Sequence, residues 1–336
     1  MKNTCITGLF CVCGLLIGCH QAEGVEFANE DMKMSVVASI EGANNLMDSR
    51  YGGDSPNSVS FVSGDAIGMA VNGGEFVKWI KDNTGNGWSP DGNTVYWNDK
   101  STQHSFIAFY PYTSNATAES IPMPNLSGQD GTMQSVATKD FLVARKTQTY
   151  EANGVVEFCL LNDAEDYSFK HKLSLVILTL KGEGDLLDAS VGNIKLIGDD
   201  IISSSTYNFS LEKTVVSTSE NGDVIDLDLL NCIISSEGKT FYFIVNPGSV
   251  DLSDVTLSIS YTTSKGTYIA TLNGLGTSEV TSFEKGKKYS YSVKVAGGEL
   301  IISGNAIQNW GEGLSLGDIV INGIEQAGSD QENNEN

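Results

Sequence analysis

The side chain with the clearest chemical prospect in this sequence is the thiol of Cys19. It closes the run Leu16-Ile17-Gly18-Cys19, which matches a bacterial lipobox: small residues admit a peptidase, and the cysteine sulfur accepts a diacylglycerol before the bond ahead of it is cut. Upstream lie a single charge, Lys2, and an apolar stretch from Ile6 to Ile17 interrupted only by Thr7, Gly8 and Gly14. That is a secretory signal, too short to span a bilayer as a stable helix. The mature chain is therefore expected to start at Cys19. Of the other cysteines, Cys5, Cys11 and Cys13 leave with the signal, while Cys159 and Cys232 remain as either a disulfide or two buried free thiols.

Residues suited to catalysis are present but badly arranged. The three histidines, His20, His104 and His171, form no Ser/His/Asp or Cys/His set with credible spacing, and each reads as a surface or strand residue. Carboxylates are so abundant, at 42 Asp and Glu, that pairs such as Asp199-Asp200 or the group Asp223, Asp226 and Asp228 carry no specificity for glycoside chemistry. The oxygen-bearing run Asp82, Thr84, Asn86 and Gly87 has no glutamate to close a calcium loop and reads better as a Gly/Asn hairpin. Trp79, Trp88, Trp97, Tyr110 and Tyr112 are either core or a platform for sugars. No catalytic residue, metal or cofactor is expected, and the chain reads as a non-enzyme. A formal charge of −22, or −23 once Lys2 is removed, leaves no basic footprint for nucleic acid and suits a self-repelling body outside the cell.

The surrounding pattern is that of strands. Met32, Met34, Val36, Ala38 and Ile40 alternate with polar neighbours, as do Val255, Leu257, Ile259 and Tyr261, and Tyr289, Tyr291, Val293 and Val295. Period-two alternation marks strands with one face in a core. Shorter apolar runs, Val155 to Leu161, Leu173 to Leu180, Thr240 to Val245 and Glu299 to Ile302, are bounded by Gly, Asn or Pro, and no long helical period is seen. Many short strands separated by turn residues predict an all-β chain of sandwich or barrel-like domains, most simply two in tandem. The boundaries drawn are 1–18 for the signal, 19–31 for a lipidated tether, 32–165 and 166–310 for the two domains, 311–325 for a further strand segment and 326–336 for an acidic tail. The polar stretch Asn162 to Asp166 separates the domains.

A set of motifs, in order, carries a family resemblance. Phe61-Val62-Ser63-Gly64-Asp65-Ala66-Ile67-Gly68-Met69 resembles the GD-x-IG element that opens the N-terminal domain of fimbrillin-like proteins of Bacteroidetes. Trp88 and Trp97 follow, then Phe106-Ile107-Ala108-Phe109-Tyr110-Pro111, Asp140-Phe141-Leu142-Val143-Ala144, Phe169-Lys170-His171-Lys172-Leu173, Gly286-Lys287-Lys288-Tyr289-Ser290-Tyr291 and Ile307-Gln308-Asn309-Trp310. The resemblance implies two transthyretin-like β-sandwich domains and a surface-exposed outer-membrane lipoprotein, anchored by lipid at Cys19, that serves as a type V pilus subunit. Its partners would be other fimbrial subunits and a ligand on a host or bacterial surface, with adhesion and biofilm contacts as its roles. It gives His171, inside a family strand motif, a packing or hydrogen-bonding role, and it further implies cleavage after an arginine by a trypsin-like protease, opening a groove that another subunit's strand fills.

Only Arg50 and Arg145 exist, and Arg50 lies where that processing site would fall, although Tyr51 follows it where the family usually has a small residue. Without the resemblance, Arg50 is an exposed loop residue. The displaced strand would be Met32 to Ile40, and the donor the segment around Leu314, Leu316, Ile319 and Ile321, whose alternation changes phase at Gly317-Asp318. Burying five such side chains contributes on the order of 5–12 kcal/mol before entropy is subtracted, comparable to the net stability of a whole domain. The alternative kept beside this is a monomeric surface lipoprotein that binds glycans through exposed tryptophans.

Overall fold

The computed structural model describes residues 32–42, 60–83, 87–162, 165–199, 201–216, 223–247, 251–276 and 280–310. Cys19, Arg50, Tyr51, Leu314, Leu316, Ile319 and Ile321 lie outside the described residues. The first half contains β1 (Ser35–Ala38), β2 (Ala66–Val71), β3 (Val77–Lys81), β4 (Gly87–Pro90), β5 (Gln103–Tyr110), β6 (Ile121–Pro122), helix α1 (Met133–Lys139), β7 (Leu142–Thr149) and β8 (Val155–Phe158). A hairpin of β9 (Leu160–Asn162) and β10 (Glu165–Asp166) and the two-residue β11 (Lys170–His171) lead onward. Then come β12 (Ser174–Gly184), β13 (Ser190–Gly198), β14 (Ser205–Asn208), β15 (Lys213–Val216), β16 (Asp223–Ile233), β17 (Lys239–Val245), β18 (Thr256–Thr263), β19 (Gly266–Asn273), β20 (Lys287–Ala296) and β21 (Glu299–Asn309).

The expected all-β class is what the chain adopts. One eight-stranded sheet runs β11-β7-β5-β2-β3-β4-β1-β8, and two four-stranded sheets run β17-β12-β20-β21 and β16-β13-β18-β19. A three-stranded sheet, β15-β14-β6, joins a strand of the first half to two of the second. Alternation places the inner faces. In β18, Leu257, Ile259 and Tyr261 are buried between half-buried Thr256, Ser258 and Ser260, and β20 buries Tyr289, Tyr291, Val293 and Val295 in the same rhythm. The apolar run Glu299 to Ile302 is only the start of β21. Pairing with β20 carries the strand through polar Ser303, Gly304 and Asn305 to Asn309.

The GD-x-IG element is explained by backbone geometry. Gly64 turns with φ +88°, a left-handed conformation that a Cβ disfavours, and the Asp65 carboxylate accepts the N–H of Val62 at 2.9 Å. Gly68, paired with Phe109, lies so close to that ring that a Cβ would come within 2.4 Å of it. Helix α1 was not expected. Its cap Thr132 accepts the N–H of Ser135 through its hydroxyl at 3.1 Å, and Met133, Val136 and Ala137 are buried at helical spacing.

Candidate strand-exchange site

Met34, Val36, Ala38 and Ile40 are all at most 6% exposed, while Lys33, Ser35, Val37 and Ser39 between them are half-buried or more accessible. The segment forms β1 with isolated bridges on either side, Lys33 to Tyr96 and Ile40 to Phe169. It is an interior strand. β1 pairs antiparallel with β4 on one side and parallel with β8 on the other, with Val36 opposite both Trp88 and Val156. Backbone bonds fasten it at both ends: Trp97 N–H to Met32 O, Met34 N–H to Val95 O, Ser35 N–H to Gly154 O, Ser39 N–H to Phe158 O and Glu41 N–H to Phe169 O, all between 2.8 and 3.1 Å. Gly154 is required there. Its φ is +65°, and a Cβ would stand 2.4 Å from the carbonyl oxygen of Lys33.

Aromatic side chains floor the slot that β1 fills. Phe61 meets Trp88, Phe169 and Tyr110 edge-on at 5.0, 5.2 and 5.5 Å, and Phe158 meets Phe169 at 5.7 Å. Trp79, Trp88 and Trp97 are each no more than 2% exposed, so the tryptophans belong to the core and offer no platform to a sugar. Cys159 and Cys232 are free thiols. Cys159 sits beside Ser39 of the β1 segment, and burial pushes its thiol up from the ordinary value, with the Ser39 hydrogen bond pulling the other way.

At the C-terminal end of this segment the Glu41 carboxylate accepts the backbone N–H of His171 at 2.8 Å. His171 Nδ1 stands 3.2 and 3.0 Å from the two carboxylate oxygens of Asp140, with both side chains fully buried, and the Trp310 indole stacks on the imidazole at 4.0 Å and 6°. A histidine oriented by a carboxylate is half of a catalytic triad. Here Nε2, the nitrogen a nucleophile would need, is buried without a hydrogen-bond partner beneath the indole, so the pair acts as a polar rivet. It joins the C-cap of α1, β11 and the end of β21 just where the chain runs into the Arg50 loop on one side and into residues 311–336 on the other. The expectation of packing or hydrogen bonding for His171 is met. Its partner, 31 residues away, carried no local signal, and neither did the stacking of Trp310.

A family model described as fimbrillin-like matches residues 57–310. Among solved structures, a candidate cell adhesion protein from Bacteroides uniformis is similar with a TM-score of 0.57 and 18% identity, over 83% of this chain and 97% of that one. A second from Bacteroides ovatus gives a TM-score of 0.54 and 19% identity, again over 83% and 97%. The tip fimbrial protein Mfa3 from Porphyromonas gingivalis aligns over 83% of this chain and 100% of its own at 12% identity and a TM-score of 0.44. The first two share the fold described above. No curated protein matches the sequence.

Proposed function

The chain belongs to the fimbrillin-like family, and on that premise we propose that it is a subunit of a cell-surface fimbria that polymerises by exchanging its first strand for a segment of another copy. Export ends with a diacylglyceryl group on the Cys19 sulfur, which holds the precursor at the outer membrane. Cleavage after Arg50 severs residues 32–42 from residue 60 onward, β1 leaves, and the slot between β4 and β8 takes the segment bearing Leu314, Leu316, Ile319 and Ile321 of a neighbouring subunit. The polymer then serves adhesion to surface ligands and biofilm contacts. The names of the similar structures, cell adhesion and fimbrial tip proteins, are consistent with this role. The role is structural and needs no catalytic group.

The observation that carries this reading is the place of β1. It lies inside the sheet, yet the only covalent link from it to the rest of the described fold runs through residues 43–59. Losing it exposes one side of β4 and one of β8 as unpaired ladders, and strips apolar contacts worth about 5–9 kcal/mol from the slot. Both penalties are removed by any strand with matching alternation, which is how β-augmentation works.

N-terminal sequencing of protein sheared from the cell surface tests it. High-molecular-weight ladders whose subunits begin at Tyr51 are expected. Subunits that begin at Cys19 and never polymerise would rule out strand exchange by this route.

A further inference from the structure

Five of the chain's 20 basic residues, Arg145, Lys170, Lys172, Lys285 and Lys287, converge on two adjoining clefts of about 390 and 180 Å³ formed where β11, β20 and the end of β21 meet. Three carboxylates line the same clefts, Glu41, Asp166 and Glu212, which leaves a local excess of two positive charges on a protein of net charge −22. The carboxylates are taken. Lys170 pairs with Glu41 and Asp166, and Arg145 pairs with Glu212 at 3.4 Å. Lys287 donates to Asn309. Among the described residues Lys172 and Lys285 make no ion pair, and the Lys172 ammonium stands 6.0 Å from the Tyr207 ring. Burial, and then the charge of Lys285, press the Lys172 ammonium down to about 8. Glu41 and Glu212 act on Lys172 only at longer range, each already held by its own partner, so two neighbouring ammonium groups, one half-buried, lack a close counter-ion and form a site suited to an anion.

We propose that this basic cleft docks the acidic C-terminal segment of the same molecule, residues 311–336. The segment contains Glu312, Asp318, Glu325, Asp330, Glu332 and Glu335 and no lysine or arginine. It also starts at the cleft. Asn309 lines the larger cavity, and Trp310 is buried, stacked on His171, with its N–H donated to Gly286 O at 2.7 Å, directly between Lys285 and Lys287. The segment is therefore tethered through Trp310 beside the lysines, which sets an effective concentration on the order of millimolar. A second copy would have to bring a body of charge −22 against another like it, and long-range repulsion opposes that approach. Docking in cis stands without strand exchange. If strand exchange is also correct, the cleft retains the donor segment on its own subunit until a neighbour's slot opens.

Zero-length carbodiimide cross-linking of the unprocessed full chain, read by peptide mass spectrometry, tests the docking. The Lys170–Asp166 contact within the fold serves as an internal control. Cross-links from residues 311–336 should concentrate on Lys172, Lys285 and Lys287, keep their yield over about a hundredfold dilution as an intramolecular event does, and weaken in about 0.5 M salt. A variant carrying Glu312→Gln, Asp318→Asn and Glu325→Gln leaves the described body intact. In it, acetylation of Lys172 at pH 8 should rise about fivefold, as expected when neighbouring carboxylates are withdrawn from an ammonium. Cross-links spread evenly over the chain's lysines, a yield that falls on dilution, or an unchanged Lys172 acetylation rate would each overturn the proposal. None of these outcomes depends on cleavage at Arg50, so failure here is distinguishable from failure of strand exchange.

Discussion

Replacing Ile40 by alanine should destabilise the unprocessed chain and leave the assembled fibre untouched. Ile40 is 1% exposed and bridges in parallel to Phe169 at the end of the β1 segment. Truncating a buried isoleucine to alanine costs about 2–5 kcal/mol, because three carbons of burial are lost and a cavity remains against rigid neighbours. Phe169 is such a neighbour, held by Phe61 and Phe158 on two sides. A loss of about 3 kcal/mol lowers the midpoint of a domain of this size by roughly 6–12 °C. Thermal denaturation of the purified precursor followed by circular dichroism measures that shift. The same substitution, assembled after processing, should melt or depolymerise within about 2 °C of wild-type fibres, since the altered residue has left with its strand. Two results refute this reasoning. A precursor shift below about 2 °C would mean that the segment contributes little to the sheet, and fibres weakened as much as the precursor would mean that the segment is never exchanged.

Gly154→Ala should cost about 2 kcal/mol or more in urea denaturation, because the left-handed backbone is strained and the new methyl meets the Lys33 carbonyl; an unchanged midpoint would contradict the tight approach of β8 to β1. Cys159, covered by Ser39 and slow to ionise, should react poorly with a maleimide in the precursor and readily in processed monomers awaiting a donor, whereas Cys232 should not change; equal Cys159 labelling in both states would show that β1 stays in place. Asp166, despite burial that pushes its carboxyl up, is held below the ordinary carboxylate value by hydrogen bonds from Lys170 and Ser168. Its contribution is therefore present above the unfolded value of about 3.9 and is lost as pH falls through the lower folded value. Acid denaturation of Asp166→Asn should accordingly begin from a lower stability near pH 6 and converge on wild type as pH falls through the lowered carboxyl value; curves offset equally at every pH would show that the contact is not felt.

Much of this protein was legible locally. The alternation from Met32 to Ile40 is a property of five side chains and their neighbours, and it placed the right face inward. Gly64 and Gly68 mark a turn and a close approach wherever they occur, and the strands at Leu257 and Tyr289 follow from the same periodicity. Helix α1 escaped because seven residues hold about two turns, too few for a 3.6-residue period to stand out.

Tertiary structure alone decided the rest. That β1 is an interior strand follows from parallel pairing with β8, which begins at Val155 opposite Ser35, and no local pattern distinguishes an interior half-buried strand from an edge one. The Asp140–His171–Trp310 stack gathers residues from stretches 170 positions apart, and the basic cleft reaches further, from Glu41 to Asn309. Two short basic runs, Lys170 with Lys172 and Lys285 with Lys287, look like ordinary solvated charges until the fold sets them side by side. Alternation, turns and charge are short-range quantities written in the order of residues. Neighbourhood in a sheet and the field inside a cleft are sums over distant segments, and they exist only once the chain has closed on itself.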